Sequence, residues 1–211
     1  NPMGWRVISN IKKIIDDEMK QINCFESNLP VIQPSDIWKQ SGRIDSFIPP
    51  LANFQDRRDK KMIIAPTHEE AVIDLVKNYL RSFRDLPFSL YHIQTKFRDE
   101  TRPRGGLLRV REFEMKDAYS FHADEKSLDE TFEKFSEAYF NIFKKCGLNV
   151  VKVAADSGAI GGKVSSEFVS LSDSGEDTIL MCDSCSYSAN DSTFLFSQKH
   201  LWRYSKNNLL I

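Results

Sequence analysis

The stretch from Ser89 to Met115 constrains this chain most. Ser89-Leu90-Tyr91-His92-Ile93-Gln94-Thr95-Lys96 is rich in β-formers, and Pro103-Arg104-Gly105-Gly106 is a turn signal. A second extended run follows from Leu107 to Met115, so the pattern predicts an antiparallel hairpin. With the turn near Arg104-Gly105, Glu100 faces Arg109, Arg98 faces Arg111 and Lys96 faces Phe113. Alternation of period two then places all six side chains on one face. That face carries cations, a carboxylate and one aromatic ring, a set no ordinary core accommodates, because buried charge is costly unless paired. A triphosphate with a purine attached fits it. Arginine grips phosphate oxygens in a planar fork, Phe stacks on a base, and Glu accepts from an exocyclic amine. The other reading is a solvated edge hairpin whose ion pairs are each worth about 0–1 kcal/mol. The pattern alone leaves both open.

The 211 residues suffice for one solid core and are short for two. A hydrophobic share of 41% and a charged share of 28% describe a soluble globular protein. The formal net charge of −1 argues against bulk electrostatic binding to nucleic acid, so any such contact is expected at a local basic patch. No apolar run approaches the roughly 20 residues that span a bilayer, and Asn1-Pro2-Met3-Gly4-Trp5 has neither a charged leader nor a signal-peptide core. Asn1 to Gly4 reads as mid-chain loop. Four cysteines, of which only Cys182 and Cys185 are close together, fit a reducing compartment.

Val7, Ile8, Ile11, Ile14, Ile15, Met19 and Ile22 recur at helical spacing and predict an amphipathic helix of about five turns. Cys24 to Ile32 reads as a strand, and a looped stretch reaches Lys61. Met62 to Ala65 is a short strand, and Thr67-His68-Glu69-Glu70 opens a helix to about Phe83. Ser127-Leu128-Asp129-Glu130 is a capping box for another helix. Leu128, Phe132, Phe135, Tyr139 and Phe143 are its expected core stripe, and Gly147 its C′ residue. Strands are expected at Asn149 to Ala154 and Glu167 to Leu171. Gly158 to Gly162 reads as a loop and Asp173 to Asp177 as a turn. Periodicity fades beyond Asn190. Helices and mainly antiparallel strands in irregular order indicate α+β.

Several of these segments resemble bacterial-type prolyl-tRNA synthetase, a class II aminoacyl-tRNA synthetase. The resemblance runs from about Pro2 to Ala189. Pro2-Met3-Gly4, the following helix and Pro30 look like motif 1. Trp38 to Arg43 resembles the family's W-x-x-S-G-R, and Pro66-Thr67-His68-Glu69-Glu70 its P-T-H-E-E loop. Gln94 to Glu100 and Arg111-Glu112-Phe113 match the two arms of motif 2. Met115 to Phe121, Gly158 to Gly162 and Ser174 to Asp177 complete the series. Gly105, Val110 and Ser166 depart from the family's pattern.

The resemblance implies an α+β class II catalytic core, an antiparallel sheet flanked by helices, incomplete in this sequence. Residues 1–190 would carry motifs 1 and 2, and residues 191–211 a divergent tail. Nothing here resembles motif 3, an editing domain or an anticodon-binding domain. The implied activity is a proline–tRNA ligase reaction, in which ATP activates proline to the adenylate and tRNA(Pro) accepts it. Arg98 is the implied catalytic residue, gripping the α-phosphate and the proline carboxylate. Glu100, Arg111 and Phe113 join it at ATP. Thr67 and Glu69 would receive the proline amine, with Met115 and Tyr119 walling the ring. Arg102 and Arg104 would meet the tRNA acceptor stem. Magnesium ligands are expected in the motif 3 region, and none is assigned within this chain. A homodimer through the motif 1 helix is implied, with no membrane association. The mitochondrial matrix is the expected compartment, with a bacterial cytoplasm as the alternative. A truncated, inactive protein that binds ATP, tRNA or a synthetase subunit is the second reading of function.

Simpler roles stand beside these. Thr67 and Glu70 satisfy a capping box by themselves. His68, His92 and His122 show no clustered partners and read as surface or satisfied core residues. Arg57, Arg58, Lys60 and Lys61 read as a solvated loop. The Gly158 loop lacks the strand-to-helix context of a phosphate cradle. Cys182-Asp183-Ser184-Cys185 has ligand spacing but lacks the four ligands that structural zinc takes, His200 being the nearest further candidate.

Overall fold

The computed structural model describes residues 1–155, 164–172, 175, 177–182, 185 and 187–190, and the backbone of 202–210. The chain divides into two compact units, Asn1–Lys134 and Phe135–Ile211.

The first unit opens with α1 (Pro2–Gln21). Asn1 caps it, its side chain accepting from Gly4 N at 2.9 Å, and Pro2 takes the first helical position, where a missing N–H costs nothing. The segment read as a loop is therefore the first turn of the helix. The run expected as one strand from Cys24 divides into β1 (Cys24–Glu26) and β2 (Ile32–Pro34). Between them, Leu29 is bound through its backbone to the side chain of Gln94. The stretch read as loop holds α2 (Ser35–Gln40) and β3 (Asn53–Gln55). It packs around Trp38, Leu51 and Ile63. The fully buried Trp38 donates its indole N–H to Gln33 Oε1 at 2.8 Å, so a large ring is buried without orphaning its donor.

β4 (Lys61–Ile64) pairs antiparallel with β2 and β3. α3 (Glu69–Tyr79) follows, shorter than expected, because the chain turns at Leu80. A Ser82–Asp85 capping box then opens a short 3-10 turn. The principal sheet has the order β1-β5-β6, with β5 (Phe88–Phe97) and β6 (Glu112–Phe121) antiparallel and β1 parallel to β5. On one face, α1 is tied down by Tyr91 donating to Asp16 and by Lys12–Glu114 at 2.5 Å. On the other, Val72 and Val76 of α3 pack with Leu29, Phe88, Leu90, Tyr119 and Phe121. That packing brings the start of α3 to the sheet face that carries the site.

The hairpin register holds at its base: Lys96 pairs with Phe113, and Arg98 N donates to Arg111 O at 2.9 Å. At the tip it shifts. Arg104 pairs with Arg109, so residues 99–103 lie opposite Val110 alone, and the turn centres on Gly106-Leu107 rather than Arg104-Gly105. Gly105 and Gly106 both have positive φ (+67° and +64°), and a Cβ on Gly105 would stand 3.1 Å from Leu108 Cβ. A side chain at 105 would be strained by the backbone and would have to displace Leu108. The second strand begins at Glu112, so Leu107 to Arg111 belongs to the tip.

α4 (Glu125–Lys145) spans the division between the units. Its cap is Asp124, accepting from Ser127 N at 2.8 Å, while the Ser127 hydroxyl meets His122 Nδ1 at 2.9 Å; the expected Ser127 box does not form. Leu128 and Phe132 are 44% and 39% exposed, and the buried residues of the helix are Ser136, Ala138 and Ile142. Phe135, Tyr139 and Phe143 are half-buried, the last two against Phe168, so the stripe is packed along its second half and open along its first. Gly147 (φ +81°) ends the helix with Leu148 N donating to Phe143 O.

In the second unit, β7 (Val150–Ala155), β8 (Ser165–Leu171), β9 (Asp177–Cys182), β10 (Ser188–Asn190) and β11 (Trp202–Leu210) close a barrel in the order β10-β7-β8-β11-β9. Val153, Val169 and Ile179 fill it. Phe168 meets the rings of Tyr139, Phe140 and Phe143. The backbone of 202–210 is thus a paired strand, although its sequence shows no periodicity. The Gly158 to Gly162 loop and most of the Asp173 to Asp177 turn lie outside the described residues.

Candidate active site

Residues of even number on β5 and odd number on β6 share one face, which joins His92, Lys96, Phe113, Met115, Asp117 and Tyr119. Over it lies the loop that leads into α3. Three contacts hold that loop to β5: Phe97 N donates to Ala65 O at 2.9 Å, Arg98 Nε to Pro66 O at 3.2 Å, and Lys96 Nζ approaches His68 Nδ1 at 2.7 Å. Arg98 is thereby joined to the residue before Thr67.

Thr67 does not cap α3. His68 holds the N-cap position without a side-chain bond, and Thr67 Oγ1 donates instead to Glu69 Oε2 at 2.5 Å. Glu70 turns the other way. Its buried carboxylate accepts from Arg43 at 3.0 Å and from Ser41 at 3.0 Å, and Arg43 also lies 3.5 Å from Glu69. The Trp38 to Arg43 segment thus braces the start of α3 and leaves Glu69 partly open, its side chain 31% exposed.

Arg98 is half-buried, with its guanidinium 5.7 Å from the Phe113 ring and one nitrogen 3.9 Å from Met115 Sδ. Two of the expected ATP contacts already have partners. Glu100 accepts from Arg109 Nε at 2.9 Å and Arg102 N at 3.1 Å, and these bonds hold its carboxyl below the usual range. Arg111 donates to Glu100 O at 3.0 Å and is 3.8 Å from Asp99. Arg102 and Arg104 are exposed on the tip, with Leu107 and Leu108 beyond them at 90% and 69% exposure.

Lys96 does not join the phosphate-facing set, and His68 and His92 are not isolated. Lys96 is fully buried, and its Nζ lies 2.7 Å from His68 Nδ1, 2.9 Å from His92 Nε2 and 2.6 Å from Asp117 Oδ2. His92 Nε2 is also 3.0 Å from Asp117 Oδ2; it accepts from Lys96 in one tautomer and donates to Asp117 in the other. Burial outweighs other influences on Lys96 and lowers its pKa, with Asp117 opposing. Burial and the adjacent Lys96 push His68 down to about 4, so its ring is neutral. Burial alone would raise Asp117, but hydrogen bonds from His92 and Lys96 prevail and hold it well below the carboxylate range. Tyr119 donates to Asp117 at 3.2 Å; burial, then the Asp117 charge, raises its pKa.

The sequence held the signal for this cluster. Stepping by two from Lys96 reaches His92, and from Phe113 reaches Asp117. The two histidines and Asp117 form a metal-type ligand set, their atoms within 4.8 Å of one another. The Lys96 ammonium fills its centre. Asp99 and Glu100 are both engaged by arginines. Cys182 and Cys185 are in no disulfide, and His200 lies outside the described residues.

The tRNA synthetase class II core domain (G, H, P, S and T) matches residues 53–200. A proline–tRNA ligase of Dehalococcoides mccartyi is 50% identical over 200 residues, covering 95% of this chain and 35% of that protein. One from Geobacillus kaustophilus is 52% identical over 189 residues, covering 90% and 33%. The chain thus spans about a third of the length of these relatives. Among solved structures, Giardia lamblia prolyl-tRNA synthetase in complex with prolyl-adenylate superposes with a TM-score of 0.76 at 20% identity, over 85% of this chain and 38% of that one. The Cryptosporidium parvum enzyme complexed with halofuginone and AMPPNP gives 0.72 at 20% identity, over 81% and 37%. The α+β fold of this chain is that of a class II synthetase core, and the chain belongs to the class II tRNA synthetase core family.

Proposed function

We propose that this chain carries the amino-acid-activating site of a proline–tRNA ligase. The observation that carries this reading is the loop at Pro66 to Glu69, tied to Arg98 through Pro66 O and to Lys96 through His68, with the Glu69 carboxylate left partly open. An amino acid is a zwitterion. Glu69 and Thr67 suit its ammonium end, and Arg98 suits its carboxylate and the phosphate it attacks. The proline carboxylate oxygen displaces pyrophosphate from the α-phosphorus of ATP, giving the mixed anhydride. A ribose hydroxyl at the tRNA terminus then attacks the carbonyl, forming the ester and releasing AMP. The contribution of the protein is positioning and charge stabilisation rather than covalent chemistry.

Phe113 offers an aromatic face for adenine, and Glu100 exchanges its Arg109 contact for the exocyclic amine. Arg111 supports the phosphates. Met115 and Tyr119 line the proline ring. Arg102 and Arg104, with the exposed tip, suit the acceptor stem of tRNA(Pro). Titration with a non-hydrolysable prolyl-adenylate analogue and its alanyl counterpart tests the reading. A preference of about 100-fold or more for the prolyl compound, ~2.7 kcal/mol, is the expected result; equal binding of the two contradicts it.

Glu69→Gln is expected to weaken proline binding about tenfold or more while changing ATP binding less than about twofold, because a charged acceptor is lost at the amine alone. Separate calorimetric titrations of the two ligands check this.

We also propose that the N-terminal half of α1 is a homodimer contact. Met3, Trp5, Val7, Ile8 and Ile11 are exposed there, with Trp5 at 60%. Large apolar side chains exposed together on one helix suit self-association. Trp5→Glu with Ile8→Glu is expected to shift sedimentation from dimer to monomer. A monomeric unmodified chain would contradict the assignment.

A further inference from the structure

We propose that Lys96 is a positioning residue for the amino-acid subsite: its buried ammonium ties the Thr67–Glu69 loop, through His68, to His92 and Asp117 of the sheet. The inference rests on the functional reading above and adds a residue set to it. An ammonium has three donors, and here three acceptors close on it, at 2.7, 2.9 and 2.6 Å. One acceptor comes from the loop before α3, one from β5 and one from β6.

The consequence falls on the two neighbours of His68. Thr67 and Glu69 flank it in sequence, so fixing the imidazole fixes the backbone from which both side chains project. Asp117, which Lys96 holds, in turn accepts from Tyr119 at 3.2 Å, so the same ammonium also fixes a wall residue of the subsite. The ammonium therefore braces the amine-binding loop through His68. An apolar residue at 96 would fill the space but would give the loop no fixed direction, since dispersion contacts are non-directional. The same residues exclude a divalent ion, whose place among His68, His92 and Asp117 the ammonium occupies.

The test is calorimetric, on the full chain, with proline and ATP titrated separately. His92→Leu removes one acceptor, and His92→Gln restores an acceptor atom near the Nε2 position. His92→Leu is expected to weaken proline about tenfold, with ATP changed less than about twofold, and His92→Gln to recover most of the loss. A merely structural role would weaken both ligands together. If circular dichroism shows His92→Leu unfolded, Asp117→Asn carries the comparison, because it keeps an oxygen acceptor for Tyr119 and removes the charge facing Lys96. Unchanged proline affinity in a folded variant, or equal losses for proline and ATP, overturns the positioning role. Absence of proline binding by the unmodified chain overturns the functional reading and takes this inference with it.

Discussion

Arg98→Ala is expected to lower proline-dependent adenylate formation by about 100-fold or more, the loss that follows removal of one well-placed charge-stabilising donor. The fold should survive. Arg98 is half-buried, and its side chain donates to the backbone at Pro66 O at 3.2 Å. Losing that bond should cost about 1 kcal/mol, visible as a melting temperature lower by a few degrees. Arg98→Lys separates charge from geometry. A lysine restores one cation but not the planar fork that can serve phosphate and carboxylate together, so recovery should be partial. Single-turnover adenylate assays with melting curves check both variants. Undiminished activity in folded Arg98→Ala would remove Arg98 from the reaction.

Lys96→Met should be the most destabilising change in the site, by about 3–5 kcal/mol, because it leaves the Asp117 carboxylate buried without its main partner. The side chain of Asp117 is only 16% exposed. Adding Asp117→Asn removes the stranded charge and should recover most of the loss, a coupling that urea unfolding of the four variants measures directly. The pH dependence follows the same pair. The folded-state pKa of Asp117 lies below its ordinary value, so its contribution is present above about pH 4 and declines as pH falls toward the lowered value. Lys96→Met should flatten that part of the profile. A loss under about 1 kcal/mol for the single variant would mean that the ammonium is not paired as described.

Much of the hairpin was legible because its period is two and both of its arms are long. Lys96 opposite Phe113 and Arg98 opposite Arg111 follow from counting back from a turn. The tip was not legible. Two adjacent glycines at positive φ let the chain turn later than the Pro-Arg-Gly signal suggests, and residues 99–103 bulge to absorb the difference. Alternation also assigned Lys96 to the correct face but not to its depth. Whether a residue on a face meets ligand or core depends on what covers it, and here the cover is the Pro66 to Glu69 loop, distant in sequence. The core option for His68 and His92 holds, but their clustering was hidden for the same reason. His68 and His92 are 24 residues apart, and only the packing of α3 on β5 and β6 brings their rings to 4.7 Å. Thr67 satisfies a capping-box spacing, yet a carboxylate two residues on draws its hydroxyl away from the helix. The strand at 202–210 left no periodic signal in the sequence and is set by pairing to β8 and β9.

The central claim, that this face activates proline, is tested most directly by ATP–pyrophosphate exchange with proline, alanine and cysteine supplied in turn. Both this chain and a polypeptide of the relatives' full length should be assayed. The account predicts exchange that depends on proline and disappears with Arg98→Ala. Exchange driven equally by alanine or cysteine, or none with proline in the full-length polypeptide, would contradict it.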